Sequence, residues 1–205
     1  MTCSSSSARL LVCASLVVCS CALQTATINQ FVDPTYGPGT VNKLAVFPIR
    51  NQRLAPSEAQ QVNRKISTAI NQKNPSIQIM AAPEATQLLN DNGLAESWAS
   101  FLDNYISSGV PDVKKLRSIG EALGVDAILQ GEMVNVFQQD GRYGLNAGTT
   151  RVTVRFSLLG IKDGKLLWEA SCDGLATTAT TVEPAPAVIQ AINVALDKIV
   201  QNLPF

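Results

Sequence analysis

Val125-Asp126-Ala127-Ile128-Leu129-Gln130-Gly131-Glu132-Met133-Val134-Asn135-Val136-Phe137 opens the stretch, running on to Cys172, whose reading decides the fold. It is an apolar run closed by Gln138, Gln139 and the turn pair Asp140-Gly141. From Thr150 the alternation sharpens: Val152, Val154, Phe156 and Leu158 fall on one face, and Arg151, Thr153, Arg155 and Ser157 on the other. A two-residue period is that of a strand with one dry and one wet face. Asp163-Gly164 then marks a hairpin, because glycine accepts the positive φ of a tight turn. Lys165 to Cys172 is the returning strand, with Leu166, Trp168, Ala170 and Cys172 expected on one face. The stretch predicts a half-buried antiparallel meander of three strands.

Composition narrows the chemistry. The chain has 205 residues, 16 basic and 16 acidic side chains, and no histidine. A neutral balance leaves no electrostatic footprint for nucleic acid. Without imidazole there is no Ser-His-Asp or Cys-His pair, no histidine general base and no histidine metal ligand. Apolar content is ample for one core, and the length suits one domain behind an export segment.

Leu10 to Val18 is an apolar run too short to span a bilayer and of the length of a signal-peptide core, with Arg9 as the side-chain cation before it. Val18-Cys19-Ser20-Cys21 resembles the bacterial lipobox, in which a small residue precedes an acylated cysteine. Ser20 and Val18 make Cys21 the preferred lipidation site, and Cys19 is the runner-up. Cys3, Cys13 and Cys19 then leave with residues 1–20, and Cys172 is the one thiol of the folded part. On an apolar row it reads as a small core residue. Acyl chains, at about 0.8 kcal/mol per buried methylene, anchor a protein without a spanning helix. Ala22 is not the aspartate that retains many lipoproteins in the inner membrane, so the resemblance implies the outer membrane, periplasmic side.

Residues 21–42 are polar and broken by Pro34, Gly37, Pro38 and Gly39. They read as a tether, locally ordered around Phe31, Val32 and Tyr36, that at ~3.3 Å per residue holds the domain some tens of ångström from the bilayer. Residues 43–205 form the globular part. Lys43 to Ile49 is a short apolar strand, and Pro56-Ser57-Glu58 opens a helix to about Lys73 with Val62, Ile66, Ala69 and Ile70 inside. Ile77 to Met80 is a second brief strand. Helices follow from Ala82, from Ala95 to Ile106, and from Pro111-Asp112 to Gly124. Asp173 to Pro186 reads as a loop or weak edge strand, and Ala187 to Asn202 as a last amphipathic helix. This order predicts an α/β fold, a mixed sheet with a C-terminal antiparallel three-strand meander and helices packed mostly on one side.

Leu44-Ala45-Val46-Phe47-Pro48, the junction from Leu123-Gly124 through Gly131, and the hairpin Asp163 to Trp168 resemble related domains of bacterial envelope proteins. These are lipoprotein activators of penicillin-binding proteins, the curli-secretion lipoprotein, and the N-terminal domain of the Tol-system propeller protein. The resemblance covers about Lys43 to Phe205 and implies fold more than function. The segment from Gln138 to Thr149 is only a loop, unlike the long inserted hairpins of the curli-type channel, which argues against a pore. The tether is shorter than that of the penicillin-binding-protein activators.

The scattered carboxylates Glu58, Asp91, Asp103, Asp126, Glu132 and Asp140 show no paired spacing for acid–base chemistry, and no phosphate-binding loop is present. No catalytic residue, cofactor or metal is expected. Arg142 and Tyr143, on the loop after the first meander strand, are types enriched at interface hot spots. Trp98 and Tyr105 share a helix with Phe101 and Leu102 at three- and four-residue spacings, a pattern of either core packing or an aromatic docking face. The sequence thus points to a non-enzymatic, outer-membrane-anchored protein that binds another cell-envelope protein. The alternatives are a homo-oligomeric subunit of an envelope secretion or transport complex and, further off, a hydrolase with a deep carboxylate pocket.

Overall fold

The computed structural model describes residues 23–37 and 39–205. The signal-peptide and Cys21 lipidation readings lie outside the described residues. Six strands, β1 (Gln24–Val32), β2 (Lys43–Val46), β3 (Gln78–Met80), β4 (Ala127–Gln139), β5 (Thr149–Gly160) and β6 (Leu166–Thr177), form one sheet in the order β1-β6-β5-β4-β2-β3. β2 runs parallel to β3 and β4, and the other pairings are antiparallel. Five helices complete the chain: α1 (Pro56–Lys73), α2 (Ala82–Asp91), α3 (Ala95–Ser108), α4 (Val113–Leu123) and α5 (Val188–Gln201).

Local chemistry accounts for most boundaries. α1 opens on proline, and the Glu58 carboxylate accepts from the Ala55 N–H at 2.9 Å. α4 starts where Asp112 Oδ1 accepts from the Lys114 and Lys115 N–H groups, and stops at Gly124, whose φ of 65° is left-handed. In the expected hairpin Gly164 takes a φ of 70° and its N–H bonds the Gly160 carbonyl at 3.0 Å.

The mixed α/β sheet and its C-terminal meander are as the sequence predicts. The helices, expected mostly on one side, divide between both faces. α1 and α5 bury Val62, Ile66, Ile192 and Leu196 against Leu44, Leu129, Phe156 and Trp168. α2, α3 and α4 bury Leu89, Phe101, Leu116 and Ile119 against Ala45, Phe47, Ile128 and Leu159. The continuously apolar β2 serves both cores, as a strand covered on two faces must. These cores dominate the energetics. Fully burying one such side chain contributes about 1.5–3 kcal/mol, whereas Arg50–Asp103 and Lys165–Asp163 are exposed ion pairs worth at most about 1 kcal/mol each.

Three further expectations are corrected. Residues 24–32, expected within the tether, are the edge strand β1, paired residue for residue with β6 from Gln24↔Ala176 to Val32↔Trp168. The globular part therefore begins at Gln24 rather than at residue 43. Ala26 and Ile28 pack on the α5 side, but an edge strand half open to solvent carries too faint an apolar pattern to be read alone. Asp173 is likewise within β6, which runs on to Thr177 between β5 and β1 and is not an edge. Finally, Leu158 pairs with Trp168 but Leu159 with Leu166, so Leu167 is the extra residue of a bulge. The bulge turns Leu166 onto the α4 side and leaves Leu167 with Trp168, Ala170 and Cys172.

Candidate functional site

β4, β5 and β6 are long strands, and α2, α3 and α4 cover only the end of them nearest the α4–β4 junction. Beyond that end, one face of β4-β5-β6-β1 carries no helix. Its side chains stand in cross-strand rows set by the register: Ser157, Glu169 and Phe31; Glu132, Arg155, Ser171 and Asn29; Asn135, Thr153, Asp173 and Thr27; Phe137, Arg151, Leu175 and Thr25. Of the wet row predicted from the alternation, Arg151, Thr153 and Arg155 form the centre line of this face, whereas Ser157 is buried beside Tyr105 of α3.

The rows are held by polar pairs. Arg155 Nη2 lies 2.7 Å from Glu132 Oε2, Thr153 Oγ1 donates to Asp173 Oδ1 at 2.6 Å, and Ser157 Oγ donates to Glu169 Oε2 at 2.8 Å. The hydrogen bond to Glu132 raises the already high Arg155 pKa, so the guanidinium stays charged. Tyr105 reaches this cluster from α3. Burial raises its pKa and the Glu169 charge adds to the shift, so the hydroxyl stays protonated. Phe31 and Phe137, at diagonal corners, are 47% and 53% exposed. The result is a preorganised polar surface with apolar corners.

The candidate contact residues separate. Tyr105 borders the uncovered face. Arg142 and Tyr143 lie at the far tip of the β4–β5 hairpin, where Arg142 N donates to the Asn146 carbonyl at 2.9 Å and Tyr143 is 87% exposed. That tip is braced by the 178–186 loop, since Asp140 Oδ1 accepts from the Ala185 N–H at 2.8 Å. Trp98 is 8% exposed and stacks between Phe47 and Phe101, at centroid distances of 4.2 and 5.4 Å. Its ring packs in the core. Arg151, Arg155, Phe31 and Phe137 were not singled out from sequence. The first two carried a signal in their alternation, and the phenylalanines carried none, because exposure of an aromatic on a strand depends on what covers the strand.

Two crevices open at the C-terminal ends of β2 and β3. One, of about 670 Å³, lies between α1 and α2 and is lined by Pro48, Asn63, Arg64, Thr68 and Pro83. The other, of about 410 Å³, is bounded by Phe47, Arg50, Leu102, Asp103 and Gln130. Asp103 is engaged by Arg50 at 3.1 Å, and neither crevice holds two convergent carboxylates. Among the described residues no cluster of His, Cys, Asp or Glu could hold a metal, and no helix is long and apolar enough to cross a membrane.

Cys172 is fully buried, and burial pushes its thiol up to about 11, with the Asp173 charge adding to the shift. Because the thiolate is the nucleophile, iodoacetamide at pH 8 should modify Cys172 at least about a hundredfold more slowly in the folded protein than in urea, as followed by intact mass. Equal rates would show that the thiol is not enclosed.

No family model matches the chain, and no curated protein matches it. Among solved structures it is similar to the hypothetical protein CT253 from Chlamydia trachomatis, with a TM-score of 0.52 and 11% identity over 80% of this chain and 95% of that chain. It is also similar to the PelC dodecamer from Paraburkholderia phytofirmans, at 0.48 and 16% over 88% and 98%. Lipoprotein GNA1162 from Neisseria meningitidis aligns at 0.47 and 16% over 78% and 98%. The likeness to CT253 is one of fold.

Proposed function

We propose that this protein is a lipid-anchored, periplasm-facing outer-membrane component that binds another cell-envelope protein through the uncovered face of its meander. The observation that carries the reading is that face itself: a row of ion-paired and hydrogen-bonded side chains on rigid strands, open to solvent, with exposed aromatics at its corners. Arginine and aromatic side chains on a preordered surface are the usual anchors of protein recognition. Arg151, Arg155 and Tyr105 lie in or beside the contact, and Arg142 and Tyr143 extend it at the hairpin tip. Acylation at Cys21, three residues before β1, then holds the domain against the bilayer, so the partner lies at the membrane surface rather than some tens of ångström out.

The test is photocrosslinking of the full-length protein in its own membranes. A photoreactive residue replacing Thr153, at the centre of the face, should capture a discrete envelope protein, and the same residue replacing Gln61 on α1 should not. Arg151→Ala should weaken that capture by about tenfold, the effect of losing an anchor worth on the order of 1–2 kcal/mol. Capture from Gln61 alone, or an unacylated mature N-terminus by mass, would overturn the reading.

A further inference from the structure

We propose that the outer edge of β1 is a pairing site for a second copy of this chain, joined antiparallel about a two-fold axis through Ile28. The pairing uses the edge of the sheet and not its uncovered face, so it stands or falls apart from the function proposed above.

The ladder with β6 shows which backbone groups are free. Thr177 N donates to the Leu23 carbonyl at 3.1 Å, and Asp33 N to the Leu167 carbonyl at 2.9 Å. Hydrogen-bonded pairs alternate along an antiparallel ladder, so the odd-numbered residues between them bond β6. Gln24, Ala26, Ile28, Gln30 and Val32 therefore aim both N–H and C=O away from the sheet. Among the described residues, no backbone bond to these outward groups is found.

Exposed edges are normally blunted by charge, proline or shortness. At the other edge β3 is blunted by length, with three residues. β1 has nine, Gln-Thr-Ala-Thr-Ile-Asn-Gln-Phe-Val, with no charged residue, proline or glycine. Such an edge is built to be paired.

A second copy fits it by self-complementarity. Centred on Ile28, the register sets Ile28 opposite Ile28, Ala26 opposite Gln30 and Gln24 opposite Val32, and every outward N–H and C=O finds a partner. A one-residue slip sets outward groups against inward ones, and a two-residue slip leaves pairs unmade at the ends. No charge on the strand opposes the pairing, and Phe31 comes to lie across Thr25 of its mate. The two-fold also agrees with anchoring, because an axis normal to the bilayer sets both Leu23 residues at one height, ~34 Å apart. Confinement to the membrane then raises the local concentration that drives pairing.

The test uses single cysteines in the full-length protein in membranes, oxidised with copper phenanthroline. Ile28→Cys should give a covalent dimer, since directly opposed Cα atoms at about 5.5 Å are within disulfide reach. Gln24→Cys and Val32→Cys should give none separately, each being ~27 Å from its own mate, but should crosslink when the two are co-expressed. Gln30→Pro removes an outward donor without touching the β6 ladder, and should raise the dimer dissociation constant of the detergent-solubilised protein about tenfold by sedimentation. The proposal is overturned by no dimer from Ile28→Cys, by dimers from all three single variants alike, by crosslinks to a different polypeptide, or by a monomer mass at every concentration.

Discussion

Replacing Gly174 with alanine is expected to lower the melting temperature by about 6–12 °C, the equivalent of about 3 kcal/mol in a domain of this size. Gly174 lies on β6 between Ala26 of β1 and Val152 of β5, where α5 crosses the sheet. A Cβ there would overlap the Ala191 carbonyl oxygen and lie 2.9 Å from Ala195 N and 3.0 Å from Ala195 Cβ. The first two obstacles are helix backbone, which cannot swing aside as the tip of a flexible side chain would. α5 would have to lift, and with it Ile192, Leu196 and Ile199, all fully buried. Thermal unfolding followed by circular dichroism measures the effect. A melting temperature within about 2 °C of the parent would show that α5 does not rest directly on β6.

Trp168→Ala is expected to cost about 3–5 kcal/mol, and Trp168→Phe less than about 1.5 kcal/mol. The indole is fully buried on the α5 side, beside Val32 and Leu158, and is the largest side chain so enclosed. Alanine leaves a cavity the size of a ring system. Phenylalanine leaves a smaller one and also removes Nε1, a buried donor that finds no hydrogen-bond partner among the described residues. An unsatisfied buried donor costs about 1–3 kcal/mol, which offsets much of the lost ring. Urea midpoints at constant m-value separate the two variants. Similar losses for both would mean that the indole N–H is satisfied and that the bicyclic shape is what the core requires.

Cores, turns and helix ends were legible in the residues because their signals are local. Val152 to Leu158 alternates because each strand residue faces away from the next, Asp163-Gly164 takes the turn only a flexible pair takes readily, and Asp112 and Gly124 bracket α4 through their own backbone chemistry. The absence of histidine removed whole classes of catalysis before any fold was known. Of the candidate site, the wet row from Arg151 to Ser157 was readable as a row but not as a surface, since whether a helix covers a strand is not written in the strand.

The sequence by itself determined the α/β class, the meander, the helices and their apolar stripes, because periodicity and turn chemistry act over a few residues. Only the tertiary structure decided that Gln24–Val32 is a strand, that Leu167 bulges, that Trp98 is core, and that half of the meander lies uncovered. Each of these depends on a partner distant in the chain. β1 is held by β6 about 150 residues later, Leu166 turns over because β6 carries one residue more than β5 between the Leu158↔Trp168 and Leu159↔Leu166 pairs, and Trp98 is enclosed by Phe47 from another element. A ladder bond or a stacking neighbour supplied from so far away leaves no periodic mark in the segment that receives it.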